Sequence, residues 1–467
     1  MKNSIGVVIL AAGQGTRLHL DLPKALAPLA GFKIVDYPIM ESQKFIKSSG
    51  LLGEITLVLG HRKEEVESYL RSTHQNLNFV IQEKQLGTAD AVNAYFSQNK
   101  NASIHEYTII LCADTPLIRE SDLQKLFEVM KTKNLEAVAA SFIAPNPHGY
   151  GRILRNQKGN LGFSIVEEKD ASDSIRNITE VNSGFYVAKT DFLIGHLKNI
   201  KSDNKAREFY LTDIFKDNYR VLPLLFNDGF KFLGVNTLRD LEVVHGHLRQ
   251  EINGSLSSSG VRFIDSACTY IDQTVQVKKG TTIYPNVIIE GKTTIGENAI
   301  ISAGSVIKNC QIANGVKIKP YSVLEDSIIE SEAAIGPFAH LRPGANIGSE
   351  AKVGNFVEIK KSKLEHGTKV SHLSYVGDAE IGENSNIGCG FITCNYDGVN
   401  KHVTKIGKNC FIGSDSQTVA PVEIGDNCFV ASGSTITSPM KDGAFAISRG
   451  KQITKDGMAS RFLKGKK

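Results

Sequence analysis

The chain has 467 residues, 41% of them hydrophobic and 22% charged, enough to bury two or three separate cores. A formal net charge of +5, with basic residues scattered except at Lys464-Gly465-Lys466-Lys467, argues against a nucleic-acid partner. No apolar run approaches the ~20 residues that cross a bilayer, and seven cysteines without a Cys-x-x-Cys pair read as reduced thiols of a cytoplasmic protein with no membrane partner.

From Ile5 to about Met130, short apolar runs alternate with helical patterns. Strands are predicted at Ile5–Leu10, Ile55–Leu59, Phe79–Ile81 and Tyr107–Leu111, the signature of a parallel α/β sheet. Lys2 followed by the apolar Ile5–Ala12 imitates an export signal, but so short a core running into Gly-Gln-Gly-Thr-Arg reads as a buried first strand. Ser121, with Gln124 three residues later, reads as a helix cap. Leu238, Leu241, Val244, Leu248 and Ile252 mark one face of a linker helix, and Ser255–Gly260 reads as a flexible boundary after it. The division that follows is 1–238, a linker at 239–259, and 260–467.

In the third segment aliphatic residues recur every six positions: Ile271, Val277, Ile283, Ile289, Ile295 and Ile301. A shift of one residue is read before Val306, after which the period resumes through Ile312, Ile318 and Leu324. It continues from Ile329 to Ile359, through Leu364, Val370 and Val376, and again from Ile406 to Ile436. This period predicts a parallel β-helix in which each aliphatic side chain points inward. Burying one is worth ~1.5–3 kcal/mol, so only the stack is stable. Arg342, Lys360, His372, Tyr375, Asn386, Asn395, Tyr396 and Lys401 break the pattern, and Thr393 to Ile406 is long enough to predict a loop. Interruptions of a repeat are where chemistry is expected. Cys389, Cys394, Cys410, His372 and His402 lack the spacing of a zinc site.

The stretch Gly13-Gln14-Gly15-Thr16-Arg17 follows the first strand. Leu18 stands where a dinucleotide fingerprint needs its third glycine, and Lys24 lies too far on for a Walker loop. What remains is a glycine-rich phosphate cradle carrying Arg17 and Lys24. Ligands of open α/β sheets bind beyond the carboxyl ends of strands, so Gln82–Ala89 and Cys112–Pro116, at the ends of two further strands, join it as candidates.

The motifs "LAAGQGTRL", "LPKAL", "QEKQLGTADA", "ADTPLI", "HGYGRI", "VEEKDA", "EVNSG", "EFYLTDI" and "GVNTL" occur in the order found in sugar-nucleotide pyrophosphorylases. With "GPFAHLRPGANIG", "GNFVEIKKSKL", "SHLSYVGDAEIGENSNIGCGFITCNYDGVNK", "FIGSDSQTVAPVEIG" and "AISRG", nearly the whole chain resembles the bifunctional N-acetylglucosamine-1-phosphate uridylyltransferase / glucosamine-1-phosphate N-acetyltransferase family.

The resemblance implies a Rossmann-like, mostly parallel nucleotidyltransferase domain, a linker helix and a left-handed β-helix. It implies UTP and acetyl-CoA as co-substrates, Mg²⁺ as cofactor and a homotrimer. Leu10, Ala11, Ala12 and Gly13 would hold the base and ribose of UTP, Arg17 and Lys24 its phosphates, and Gln82, Gly87 and Thr88 its uracil. Cys112, Ala113 and Asp114 complete that set, with Asp114 and Asn236 as metal ligands. Gly151, Glu167 and Asn182, together with Asn236, would hold N-acetylglucosamine.

In the second half, the same resemblance makes His372 the general base. It puts Arg342 and Lys360 on the sugar phosphate, with Tyr375, Asn386 and Lys401 around the sugar. Cys389, Asn395, Tyr396, Ser414, Ser432 and Arg449 would line the acetyl-CoA site, with the basic tail nearby. Three positions depart from the family's pattern. Gln14 stands where Lys or Arg is common, Cys112-Ala113 where Tyr-Gly often precedes the metal-binding Asp, and Cys389 where Ala is frequent. Two other readings are a pyrophosphorylase whose β-helix only oligomerises or regulates, and a scaffold without activity.

Overall fold

The computed structural model describes residues 3–156, 161–216 and 218–463, so the tail Lys464–Lys467 lies outside the described residues. The chain forms two compact units, Met1–Leu248 and Arg249–Lys467.

The first unit is built on a twisted sheet. Strand β1 (Ser4–Ala11) is buried along most of its length, and its near-continuous apolar run reflects burial on both faces. It pairs in parallel with β2 (Leu52–Leu59) on one side and with β4 (Tyr107–Cys112) on the other, while β3 (Leu77–Ile81) lies outside β2. Beyond β4 comes β8 (Glu180–Lys189), antiparallel to both β4 and β5 (Ala137–Ile143). Two short strands, β6 (Arg152–Arg155) and β7 (Phe163–Val166), pair with each other beside it, and β9 (Val221–Phe226) closes the far edge. Because the strands leave β1 in opposite directions, a crevice opens at its carboxyl end, where the glycine-rich loop begins.

The predicted cap at Ser121 is not the one used. The helix spans Glu120–Thr132, so Ser121 lies within its first turn. The Asp122 carboxylate accepts the Arg119 backbone N–H at 3.0 Å and also holds the Lys231 ammonium at 3.0 Å. A buried carboxylate with two partners makes a stronger start than a serine hydroxyl.

The helix predicted from Leu238 runs from Leu238 to Ser258, with Val244 and Leu248 buried and Leu238 exposed. Ser255–Ser258 are thus helical rather than a flexible boundary. Ser258 donates to the Gly254 carbonyl at 2.9 Å and Ser259 to that of Leu256 at 2.8 Å, so these serines satisfy helix-end acceptors.

The second unit is a left-handed parallel β-helix of short strands, stacked into three sheets of 11, 10 and 9 described strands. Its core is one continuous column of aliphatics from Val261 to Ile436. The six-residue period runs one step further than the sequence predicts. Ile307 is fully buried and Val306 only partly, so the slip falls between Ile307 and Ile312. Two adjacent aliphatic residues left the sequence pattern free to choose the wrong one. The inner positions of Thr393 and Thr418 are polar; the Thr393 hydroxyl donates to the Gly377 carbonyl at 2.9 Å. Glycine directly follows many inward residues because coils touch there: a Cβ on Gly382 would run into the Gly407 and Lys408 backbone. Cys310, Cys410 and Cys428 are buried small residues of the prism, whereas Cys268 and Cys394 are exposed. Residues 395–403 leave the prism between Ile392–Cys394 and Thr404–Ile406, closed by a bridge between Tyr396 and Lys401.

Candidate active sites

In the first unit the cradle folds back on Lys24. Gly15 has φ +66°, and a Cβ there would collide with the side chain of Lys24. Only glycine lets the loop close this tightly. Lys24, 13% exposed at its side chain, reaches Asp114 Oδ2 at 2.5 Å and Asn236 Oδ1 at 2.8 Å, and Arg17 donates to the same Asn236 oxygen at 3.1 Å. The backbone sets this up: Ala113 N–H bonds the Leu10 carbonyl at 3.0 Å and Val235 N–H that of Asp114 at 2.9 Å. Residues far apart in sequence therefore meet around one point. Two hard oxygens already share one cation there, a donor set that fits a divalent ion completed by substrate oxygens. Among the described residues no group of three or more His, Cys, Asp or Glu could hold a metal ion.

Beside this point, Gln82 is buried at the end of β3, and its amide donates to the Gly87 carbonyl at 3.1 Å and to Asp90 at 2.8 Å. Thr88 Oγ1 accepts Leu211 N–H at 3.1 Å. Gln14 donates to Gln85 at 3.1 Å, and Gln85 to the Ala12 carbonyl at 3.2 Å. The neutral side chain at position 14 thus ties the cradle to the loop after β3, a contact that a lysine ammonium could also make only as a point charge. The Cys112 thiol lies near the Gly184 carbonyl, and burial pushes it up to about 12, so it stays protonated and inert.

Further along, Asn182 N–H bonds the Gly151 carbonyl at 2.8 Å and the Asn182 amide donates to Tyr186 at 2.7 Å. A Cβ on Gly151 would press on Glu167, whose carboxylate accepts the Thr212 hydroxyl at 3.1 Å. Burial raises the Glu167 carboxyl above its ordinary range. Gly151, Glu167 and Asn182 therefore line one patch.

The second unit positions residues by register. Val353, Val370, Ile387, Ile412 and Val430 are stacked partners. The residues two positions beyond each form one corner column: Asn355, His372, Cys389, Ser414 and Ser432. The predicted base and three of the residues assigned to acetyl-CoA are thus successive members of a single ladder. Arg449 donates to the Ser432 carbonyl at 2.9 Å at its far end. His372 is exposed, and its Nδ1 lies 2.8 Å from Asn355 Oδ1. An amide oxygen only accepts, so Nδ1 carries a proton, and in the neutral ring Nε2 then holds the lone pair.

On the next sheet, Arg342 and Lys360 sit on adjacent coils, since Arg342 N–H bonds the Ile359 carbonyl at 2.8 Å. Glu358, aligned with Tyr375, holds the Arg342 guanidinium at 2.7 Å. The Lys401 ammonium, brought in by the 395–403 loop, together with Arg342, lowers the proton affinity of Lys360 below that of an ordinary lysine. Asn395 anchors that loop by donating to Asp378 at 2.5 Å. Tyr396 pairs with Lys401 across the loop rather than with the corner column. Asn386 lies on the first sheet beside Lys369, not on the second with Arg342, Lys360 and Tyr375.

Four residues at these sites were given no role of their own from sequence: Gln85, which falls within the candidate stretch Gln82–Ala89, and Asp90, Asn355 and Glu358. Asn355 sits about one coil before His372 and Glu358 about one coil after Arg342, a signal visible only once the coil length is known.

These constellations define a two-headed transferase, with a nucleotidyl-transfer site at the end of a Rossmann-like sheet and an acyl-transfer site on a hexapeptide prism. Comparison with known proteins agrees. The MobA-like NTP transferase domain matches residues 7–168, the GMPPB C-terminal domain residues 266–342, and the hexapeptide repeat of succinyl-transferase residues 403–438. Bifunctional protein GlmU of Geotalea uraniireducens (strain Rf4) is 44% identical over 461 residues, covering 97% of this chain and 98% of that protein. The protein of the same name from Staphylococcus haemolyticus (strain JCSC1435) is 43% identical over 454 residues, 96% of this chain and 98% of that protein. That from Pelobacter propionicus is 40% identical over 465 residues, 99% of each. The chain belongs to the bifunctional GlmU family. It is a bifunctional transferase that makes UDP-N-acetylglucosamine by acetyl transfer to glucosamine 1-phosphate and uridylyl transfer to N-acetylglucosamine 1-phosphate.

Proposed function

We propose that the two activities divide between 1–238 and 260–467, joined by the linker at 239–259, and that the residues named above carry them. In the first unit Arg17 and Lys24 neutralise the triphosphate of UTP while a phosphate oxygen of N-acetylglucosamine 1-phosphate attacks the α-phosphorus and pyrophosphate leaves. Asp114 and Asn236 would hold Mg²⁺, which supplies further charge neutralisation when bound. With Asp114 and Asn236 so engaged, the Lys24 ammonium would be free to pair with phosphate oxygens. Leu10–Gly13 and Cys112-Ala113 border the nucleoside, Gln82 with Gly87 and Thr88 reads its base, and Gly151, Glu167 and Asn182 hold the sugar.

In the second unit Arg342 and Lys360 bind the 1-phosphate of glucosamine 1-phosphate, and Lys401, beside Lys360, lies between that phosphate and the sugar. Its amine attacks the thioester carbonyl of acetyl-CoA, Nε2 of His372 takes the amine proton, and CoA leaves as the thiol. Cys389, Ser414, Ser432 and Arg449 border the coenzyme. Tyr375 and Asn386 serve the sugar, Asn386 from a neighbouring copy, because the single chain keeps it on a different sheet. A homotrimer of parallel prisms and a cytoplasmic location complete this reading. No described helix is long and apolar enough to cross a membrane.

The observation that carries the proposal is the duplication of cationic clusters: Arg17–Lys24 beside Asp114 in one unit, and Arg342–Lys360–Lys401 on the prism that carries His372 in the other. Purified protein given glucosamine 1-phosphate, acetyl-CoA, UTP and Mg²⁺ should release CoA and pyrophosphate, followed separately. Pyrophosphate from added N-acetylglucosamine 1-phosphate without CoA release would favour a prism that only oligomerises.

A further inference from the structure

Gln82 is 5% exposed, and both acceptors of its amide N–H₂ group are fixed. The Gly87 carbonyl also accepts the Ala91 N–H at 3.2 Å, at the start of the helix Thr88–Gln98, so the helix itself holds it. Asp90 lies in the first turn of the same helix, where its negative charge faces the positive helix end. Neither a carbonyl nor a carboxylate can donate. Turning the Gln82 amide over would set its oxygen against two acceptors in a buried place, so only one orientation is compatible. In that orientation Nε2 is spent on Gly87 and Asp90, and Oε1, an acceptor, is the atom the amide has left for a ligand.

We propose that Asp90 sets the nucleobase specificity of uridylyl transfer, by holding the Gln82 amide so that it presents an acceptor to the base. The inference rests on Gln82 being the base-reading residue. Uracil carries a hydrogen at N3, which Oε1 accepts. Cytosine has a lone pair at N3, which would meet Oε1 acceptor to acceptor. A polar group built to pair with one partner discriminates strongly against a ligand that leaves it unpaired. Asp90 acts through Gln82 and is a positioning residue. A first-turn aspartate that only stabilised the helix would be indifferent to the base.

The test uses the full-length enzyme with N-acetylglucosamine 1-phosphate and Mg²⁺, comparing pyrophosphate release from UTP and from CTP as a ratio of kcat/KM. In Asp90→Asn the new amide can donate to Gln82, so the turned orientation meets one acceptor, the Gly87 carbonyl, instead of two. The UTP-to-CTP ratio should then fall by about tenfold or more, with kcat for UTP held within about threefold and CoA release unchanged. Asp90→Glu, which keeps an acceptor, should retain the wild-type ratio. An unchanged ratio in Asp90→Asn overturns the proposal, and so does equal loss of both nucleotides in both variants. Gln82→Ala separates the two layers. If it leaves the ratio intact, Gln82 does not read the base and the underlying reading fails. If it collapses the ratio while Asp90→Asn does not, only the role of Asp90 fails.

Discussion

The two sites proposed for this chain are assembled in opposite ways. The nucleotidyl-transfer site is gathered across the sequence: Lys24, Asp114 and Asn236 come from three distant loops and meet only because the sheet brings strand ends together. The acetyl-transfer site is laid out along the sequence, with Asn355, His372, Cys389, Ser414 and Ser432 at one corner of successive coils. A gathered site depends on global tertiary structure, whereas a laid-out site depends on coil register.

The sharpest way to break that comparison is a reciprocal pair of substitutions. His372→Ala should lower CoA release by about 10²–10⁴-fold and leave pyrophosphate release unchanged. Asp114→Ala should abolish pyrophosphate release and leave CoA release intact. Loss of both activities in either variant would show that the sites are one functional unit.

A smaller effect sharpens the account of the column. In Asn355→Asp a carboxylate would face Nδ1 of His372 and favour the protonated imidazole. The base must be neutral, so the acidic limb of the kcat profile for acetyl transfer should move to higher pH, by about one unit or less. A profile that does not move would show that Asn355 does not position His372.

The smallest expected effect concerns the phosphate end. Lys360 is held below the ordinary lysine range by its neighbour Lys401. It therefore loses its charge first as pH rises, and the KM for glucosamine 1-phosphate should climb on the alkaline side before an isolated lysine would titrate. Removing the neighbouring charge in Lys401→Gln raises the overall KM but should shift that climb to higher pH. A climb at the same pH in both proteins would contradict the coupling.

What was legible in the sequence follows the same division. The prism could be read residue by residue, because an inward aliphatic every six positions is a local signal; the pattern erred where Val306 and Ile307 offered two equivalent choices, and where polar Thr393 and Thr404 hid strand residues inside the loop predicted from Thr393 to Ile406. In the sheet the cradle and its basic residues could be read from their motif. The resemblance to sugar-nucleotide transferases marked the partners at Asp114 and Asn236, but not how they converge on one lysine. The capping error at Ser121 has a similar origin, since nothing local shows that Asp122 is buried against Lys231. Gln85, Asp90, Asn355 and Glu358 escaped because each acts through another side chain rather than through a motif of its own.

The corner column also behaves as a graduated scale. Neighbouring strands of a sheet lie ~4.8 Å apart, so the three steps from His372 to Ser432 mark off about 14 Å. A molecule lying against this edge is measured in whole turns of the coil. The extra residues at 395–403 add a loop without adding height, so insertions of that kind change what decorates the scale and leave its divisions alone. Lengthening it requires a complete additional coil, which makes the reach of this edge a quantity that changes only in fixed increments.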